Sequence, residues 1–392
     1  MRKILKILLK IILLIAALYI VFTLIAPGII DKKYNPVRNS APYKVPESAN
    51  NLYKSLDFVA DMHCDALLWN RNLLDHNDFG QVDIPRMLEA NIALQAFTIV
   101  TKSPKGQNFD KNTGETDNIT TLSIAQGRNI STWFDLNERA LDQCIKLHDF
   151  ASRSDGKFRI IKSKTDLLGY LDERKSNKNI TAGFLGVEGA HALDGKIENI
   201  EKLFNAGVRM MAPTHFFDNK LGGSAHGISK EGLTNFGKKV ILEMQHKNMI
   251  VDIAHSSSKM IDDILAITTK PVISSHTGVK GTCKSVRNLS DDHIRGVAKT
   301  DGLISIAMFE TAVCGQDAAA TAKAIKYVID LVGPDYVALG SDFDGSVTTP
   351  FDITGLPLIV NELVKLEISE ENIQKVMGEN VKRFMLENLP EN

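Results

Sequence analysis

From Phe58 onward the chain repeats one pattern, a short and nearly continuous apolar run followed by an amphipathic stretch. The runs are Phe58–Met62, Ala93–Val100, Thr181–Val187, Val208–Thr214, Met249–Ala254, Pro271–Ser275, Gly302–Met308 and Tyr336–Ser341, eight in all. Runs apolar on both faces are expected of parallel strands covered on each side. The intervening stretches carry helix signals. Thr234–His246 sets Phe236, Val240, Ile241 and Met244 at helical spacing, and Ser257–Thr268 opens on serines suited to an N-cap. Ser290 leads Asp291 and Asp292 into a further helix, and Ala318–Leu331 forms the next. Such alternation builds a parallel sheet. Eight repeats in this length favour a closed α/β TIM barrel, (β/α)8, over a doubly wound open sheet. The span of about 80 residues between the second and third runs is too long for a simple crossover. It is expected to hold helices at Leu136–Ser152 and Lys164–Lys175 and a lid or side wall.

Residues 1–30 read differently. Arg2, Lys3, Lys6 and Lys10 precede an apolar run from Ile11 to Ile30. About twenty apolar residues cross a bilayer as a helix, and the positive flank stays in the cytoplasm. The expectation is an uncleaved transmembrane anchor that carries the rest of the chain outside the cytoplasm, periplasmic or extracellular. A cleaved secretion signal shares the same charged start and apolar middle and is the alternative. Residues 31–55, with three prolines and several polar residues, read as a linker, and residues 56–392 as the barrel domain.

Composition excludes some classes. The 392 residues carry a formal net charge of −1, without a long basic stretch after the N-terminal segment, so nucleic-acid binding has no electrostatic support. Cys64, Cys144, Cys283 and Cys314 form no CxxC pair, which argues against a thiolate zinc site and a dense disulfide framework. Free thiols are expected. One disulfide is compatible with export, but the sequence does not pair the cysteines.

The chemistry-bearing side chains fall at the ends of the apolar runs. His63 and Asp65 follow the first, and as i and i+2 of an extended chain they point to one side. Glu188 follows the third run, His215 the fourth, His255 the fifth, His276 the sixth, and Asp342 the last. Singly each has an ordinary explanation: a capping histidine, or a helix N-terminal carboxylate. Together they share the rim on which barrel enzymes keep their chemistry. So many buried titratable groups need compensation, and metal coordination supplies it. Imidazole and carboxylate donors without thiolate suit zinc, with manganese or cobalt as substitutes, and there are donors enough for two ions.

These segments, Asp61-Met62-His63-Cys64-Asp65, Asp83-Ile84-Pro85, Gly186-Val187-Glu188-Gly189, Gly232–Gly237, Asp252–Ser256, Ser275-His276, Arg287-Asn288 and Gly340–Gly345, resemble the membrane (renal-type) dipeptidases. That family is a binuclear zinc branch of the amidohydrolase-like barrels, and the resemblance extends from about Phe58 to Glu387. It implies two zinc ions per chain, with His63 and Asp65 on the first, His255 and His276 on the second, and Glu188 bridging both. It implies that His215 touches substrate and stabilises the oxyanion, that Arg287 with Asn288 holds the substrate carboxylate, and that Asp342 transfers protons. Asp344 lies two residues beyond and is set aside because Asp342 is nearer the strand end. His226, His191 and His148 are expected not to be ligands. The loop Phe216–Gly227 departs from the family pattern, which leaves its substrate contacts open.

The implied activity is hydrolysis of dipeptides, including those with a C-terminal D-residue, by a hydroxide bridging the two ions. Two other readings stand beside it. A related barrel amidohydrolase or lactonase is disfavoured because such relatives often bridge their ions with lysine where this chain has Glu188. A non-catalytic binding barrel is disfavoured by the complete donor set. Family members often pair, so a homodimer is implied by resemblance, although no residue pattern marks an interface.

Overall fold

The computed structural model describes residues 2–392, so the expected anchor boundary at residue 1 lies outside the described residues. Nine parallel strands form the sheet: β1 Val59–Asp61, β2 Ile92–Val100, β3 Phe158–Ile160, β4 Thr181–Glu188, β5 Val208–Met211, β6 Ile250–Asp252, β7 Val272–Thr277, β8 Leu303–Ile306 and β9 Val337–Leu339. Pairing runs β1–β2, β2–β4, and then through β5, β6, β7, β8 and β9 back to β1. Eight strands therefore close into a barrel. The remaining strand, β3, pairs only with the start of β4, from Phe158 opposite Thr181 to Ile160 opposite Gly183. Only Phe158 of its three residues is fully buried, and Arg159 interrupts the run, too little apolar signal for the sequence to reveal it.

Strand residues divide alternately between two buried clusters. Val59, Ile99, Val187, Val208, Val251, Ile304 and Leu339 belong to one. Ala60, Leu94, Phe184, Met210, Ile273 and Ala338 belong to the other. Both faces are buried because side chains alternate across a strand with period two, and here neither face meets water.

The helices begin where the caps lie. The Thr234 side chain accepts from the Gly237 N–H to start Asn235–His246, and Ser257 does the same for Ser258–Ile267 through Met260. Ser290 caps Asp291–Lys299, and Asp317 caps Ala318–Val332. Within the long second connection, Leu136–Ser152 and Lys164–Ser176 are helical, as expected.

Two expectations need correction. Residues 31–55 are not a loose linker. The N-terminal helix runs from Arg2 to Tyr34, Val37 bridges Thr349, and Glu47–Ser55 is a helix burying Ala49 and Tyr53. The prolines that suggested a tether occupy an extended stretch whose N–H groups at Arg38 and Asn39 donate to the carbonyls of Thr349 and Pro350. The cysteines are not all free either. Cys283 and Cys314 form a disulfide, whereas Cys64 and Cys144 are buried thiols. Loops after β7 and β8 bring the pair together across 31 residues, a proximity invisible in sequence spacing.

Candidate metal and substrate site

Every strand-end donor converges on the C-terminal mouth of the barrel. Glu188 is the last residue of β4 and stands at the centre. Its Oε1 lies 2.9 Å from His255 Nε2, 3.3 Å from His276 Nε2 and 3.5 Å from His63 Nε2. Its Oε2 lies 3.2 Å from His215 Nε2. Asp65 Oδ1 and Asp342 Oδ1 approach His63 Nε2 at 3.6 and 3.9 Å. All these side chains are buried.

Local backbone explains this density. Gly189, directly after Glu188, has φ +96°, and a Cβ there would come within 2.3 Å of the His191 ring and 3.1 Å of His215 Cβ. Only glycine allows the chain to turn so sharply while keeping Glu188 inward. His255 and Asp342 are themselves left-handed, at φ 61° and 65°. Such backbone is uncommon outside glycine and concentrates at sites that the surrounding fold over-determines.

Supporting side chains hold the donors. Ser275 Oγ lies 2.9 Å from His63 Nδ1 and 3.0 Å from His276 Nδ1. Nδ1 protons directed to Ser275 would leave both Nε2 atoms, which face Glu188, free to bind a metal ion. Thr98 Oγ1 donates to Asp65 Oδ1 at 2.5 Å. Asp252 accepts from the Ala254 and Ser275 N–H groups, which fixes the turn carrying His255. Asp61 accepts from the Ser341 N–H and hydroxyl, which fixes the turn carrying Asp342. Sequence reasoning passed over Ser275, Thr98, Asp252 and Asp61. The one available signal was their position within three residues of a strand-end donor, or opposite one on the next strand.

The electrostatics are those of a site built around cations. Burial, Arg287 and the neighbouring histidines push His255 well below the ordinary imidazole range, and burial with His63 and Arg287 does the same to His276. Burial likewise lowers His215. Burial also opposes charge on His63, but Glu188, Asp65 and Asp342 outweigh it and raise His63 to about 10. Glu188 is raised by burial and by the Asp65 carboxylate. Asp342 is raised to about 7, first by burial, with the His63 cation acting the other way.

The donor set fits metal. Neutral His255 and His276 turn their Nε2 atoms toward each other at 2.8 Å, and His63 Nε2 has no hydrogen-bond partner. Three imidazole nitrogens around one carboxylate oxygen is an arrangement that a divalent cation satisfies. Donor atoms lie within 4.8 Å of one another in three groups: His63 with Glu188 and His276, Glu188 with His215 and His255, and His63 with Asp65 and Asp342. The grouping differs from the two ligand pairs the resemblance implies, because His276 also stands near His63.

Arg287 reaches the same mouth. It is buried, its Nη2 donates to the His276 carbonyl at 3.0 Å, and its carbon plane lies 5.1 Å above Phe309. Its Nε and Nη1 donors have no partner. Asn288 does not join it, which corrects the expected substrate contact. Its Nδ2 donates to the Cys283 and Ala312 carbonyls and its Oδ1 accepts from Gly278 N–H, so the amide braces the Arg287 loop. Of the histidines set aside, His148 bonds the Ala206 carbonyl and His191 packs on Phe217. His226 forms a wall of the site. Its Nδ1 faces the Phe109 carbonyl at 2.6 Å, while its ring stacks on Phe216 and lies 5.1 Å from the His255 ring.

The N-terminal helix is the one helix among the described residues long and apolar enough to cross a membrane, as an anchor or as a signal.

Comparison with known proteins agrees with this geometry. The family model described as Membrane dipeptidase (Peptidase family M19) matches residues 47–389. Dipeptidase aclJ of Aspergillus oryzae is 27% identical over 354 residues, spanning 83% of this chain and 77% of that protein. Dipeptidase tcpJ of Claviceps purpurea is 27% identical over 318 residues, 79% of this chain and 69% of that one. Among solved structures, the probable dipeptidase PvdM of Pseudomonas aeruginosa superposes with a TM-score of 0.72 at 17% identity, over 89% of this chain and 99% of its own. A Rhodobacter sphaeroides metallopeptidase bound to a phosphinate mimic of L-Ala-D-Ala superposes at 0.69 with 21% identity, over 85% and 99%. A closed parallel barrel, a mouth crowded with imidazoles and carboxylates, and a match across almost the whole catalytic domain lead to one assignment: the chain belongs to the membrane dipeptidase family, the metallo-dipeptidases of peptidase family M19.

Proposed function

We propose that the chain is a dizinc dipeptidase whose catalytic domain lies outside the cytoplasm and whose substrates carry a free C-terminal carboxylate. The observation that carries this reading is Glu188 Oε1, which has three imidazole Nε2 atoms within 3.5 Å. His63 and Asp65 would hold one ion, His255 and His276 the other, with Glu188 between them. When bound, the ions supply an activated water and a Lewis acid for the peptide carbonyl.

The remaining work belongs to side chains. Arg287 keeps Nε and Nη1 without partners at the mouth, and a guanidinium edge pairing one of them with Nη2 would match a carboxylate in two parallel hydrogen bonds. Binding the substrate through its C-terminus sets the scissile carbonyl at a fixed distance from the pocket, which favours dipeptides over longer chains. His215, kept neutral by burial, stands beside Glu188 and donates to the oxygen on which charge develops. Asp342 Oδ1 takes the proton of the attacking water as the carbon–oxygen bond forms. It returns that proton to the amine nitrogen as the carbon–nitrogen bond breaks. The phosphinate mimic in the Rhodobacter sphaeroides relative has a D-residue at its C-terminal side, which supports the same stereochemistry among the substrates here.

A panel of L,L- and L,D-dipeptides, assayed with and without a chelator, tests the proposal. Chelator-sensitive release of both amino acids is expected. Hydrolysis that persists in chelator, or is confined to lactones, would contradict it.

A further inference from the structure

The N-terminal helix does not leave the domain cleanly. Thr23, Ala26, Pro27, Ile30 and Asp31, spaced on one helical stripe, are partly or fully covered. Tyr34 stacks on Trp69, and Ile30 packs against the cluster of Leu68, Trp69, Val100 and Ile119. Further back along the helix, Thr23 lies against Gly127, and Tyr19 donates to the Ile124 carbonyl at 2.8 Å. Every one of these domain partners lies at the end of β2 or in the loops that follow β1 and β2, on the rim that carries the donors. The contact stripe from Thr23 to Tyr34 therefore runs about 16 Å along the mouth side of the barrel, with Tyr19 making the last contact beyond it.

This fixes a boundary. Residues Ile4–Phe22 are exposed and amount to about 28 Å of helix, the thickness of a hydrocarbon core. Lys6 and Lys10 can extend to the cytoplasmic headgroups along their aliphatic stems. Tyr19 and Phe22 then sit at the outer interface, where aromatic rings are favoured. The segment touching Tyr19, Asn118–Ala125, is followed by the short helix Ser131–Phe134, which ends on the most exposed aromatic ring of the globular domain. Phe134 is 82% exposed and Ile130 63%. Trp133 lies between them, half buried, with its ring 6.4 Å from Phe134 and its Nε1 donating to the Arg128 carbonyl. An apolar tip of this kind, beside the point where an anchor enters the bilayer, is suited to lipid rather than water.

We infer that the mouth of the barrel rests on the outer face of the bilayer, with Ile130, Trp133 and Phe134 seated in the interface beside the anchor. The inference rests on the anchor reading of the N-terminal helix. Dipeptides then enter from the side, between membrane and rim.

Trp133 is a native reporter. The full chain is reconstituted into phosphatidylcholine vesicles brominated near the headgroup end of the acyl chains, and its emission is compared with that of W133F. The expected result is at least twofold quenching of the Trp133 component by bromolipid and protection from aqueous iodide. Trp69, buried at 2% exposure, provides the constant background. I130D/F134D should stay on the vesicles through the helix, lose the bromolipid quenching, and hydrolyse dipeptides in detergent like the parent. Protein that floats with alkaline-washed vesicles but whose Trp133 is reached by iodide alone would overturn the seating and leave the anchor. Protein that fails to float would overturn both.

Discussion

Asp342 and Asp344 stand two residues apart on left-handed backbone yet face different partners. Asp342 Oδ1 looks into the mouth, 3.9 Å from His63 Nε2. Asp344 is turned away and fully buried, accepting from Gln81 N–H, Val82 N–H and the Arg71 guanidinium. Arg71 in turn pairs with Asp31 at 3.0 Å, at the foot of the N-terminal helix. One aspartate faces the mouth, and its neighbour bolts the loop to the N-terminal helix.

Substituting the two should therefore separate activity from stability. D342N is expected to lower kcat by about 10²- to 10⁴-fold with an unchanged thermal midpoint, the usual loss for a proton-transfer group. D344N leaves Arg71 with half its charge compensation in the interior and should cost about 3 kcal/mol of stability. Equal losses of stability in both variants would refute the division.

Arg287→Lys should raise KM for dipeptides by about 10- to 100-fold, because a point charge cannot reproduce two parallel hydrogen bonds worth about 1.5–3 kcal/mol. Dipeptide amides make the control. The parent should discriminate strongly against them and the variant weakly. Parent and variant with the same acid-to-amide preference would remove Arg287 from the substrate carboxylate.

The disulfide closes a 31-residue separation that includes Arg287 and the Asn288 brace. Loss of such a cross-link costs about 3–4 kcal/mol in the chain-entropy account. C283S/C314S should melt lower and show a raised KM, yet keep its metal, since the five proposed ligands lie on other turns. Thiol titration of the unfolded, unreduced parent should find two free cysteines, Cys64 and Cys144. Four would contradict the bridge.

Much of this was legible in the sequence because of where the signals sit. All eight barrel strands are buried on both faces and most are nearly continuous apolar runs, so they announced themselves, and a donor at the strand end marks the rim whatever the loop beyond it does. The capped helices were equally visible at Thr234, Ser257 and Ser290. Strand β3 was not, because three residues with Arg159 at their centre carry no period. The residues 31–55 misled because their hydrogen bonds go to Thr349 and Pro350, some three hundred residues away, and composition cannot register a distant partner. Asn288 misled for the converse reason. Adjacency to Arg287 suggested a shared task, but its amide is fully engaged by backbone. Ser275 and His226 escaped because a hydroxyl beside a histidine, or a histidine in a glycine-rich loop, is ordinary in sequence and significant only in space.

The most direct test of the account is the metal content of the purified full-length chain and of its Glu188→Gln variant, measured by elemental analysis alongside anomalous scattering at the zinc edge. Two zinc ions per parent chain are expected, one on each side of the Glu188 carboxylate, with at most one retained in the variant. A parent that holds no metal after zinc-replete purification, or a variant that still holds both ions in place, would contradict the bridge on which the proposed chemistry depends.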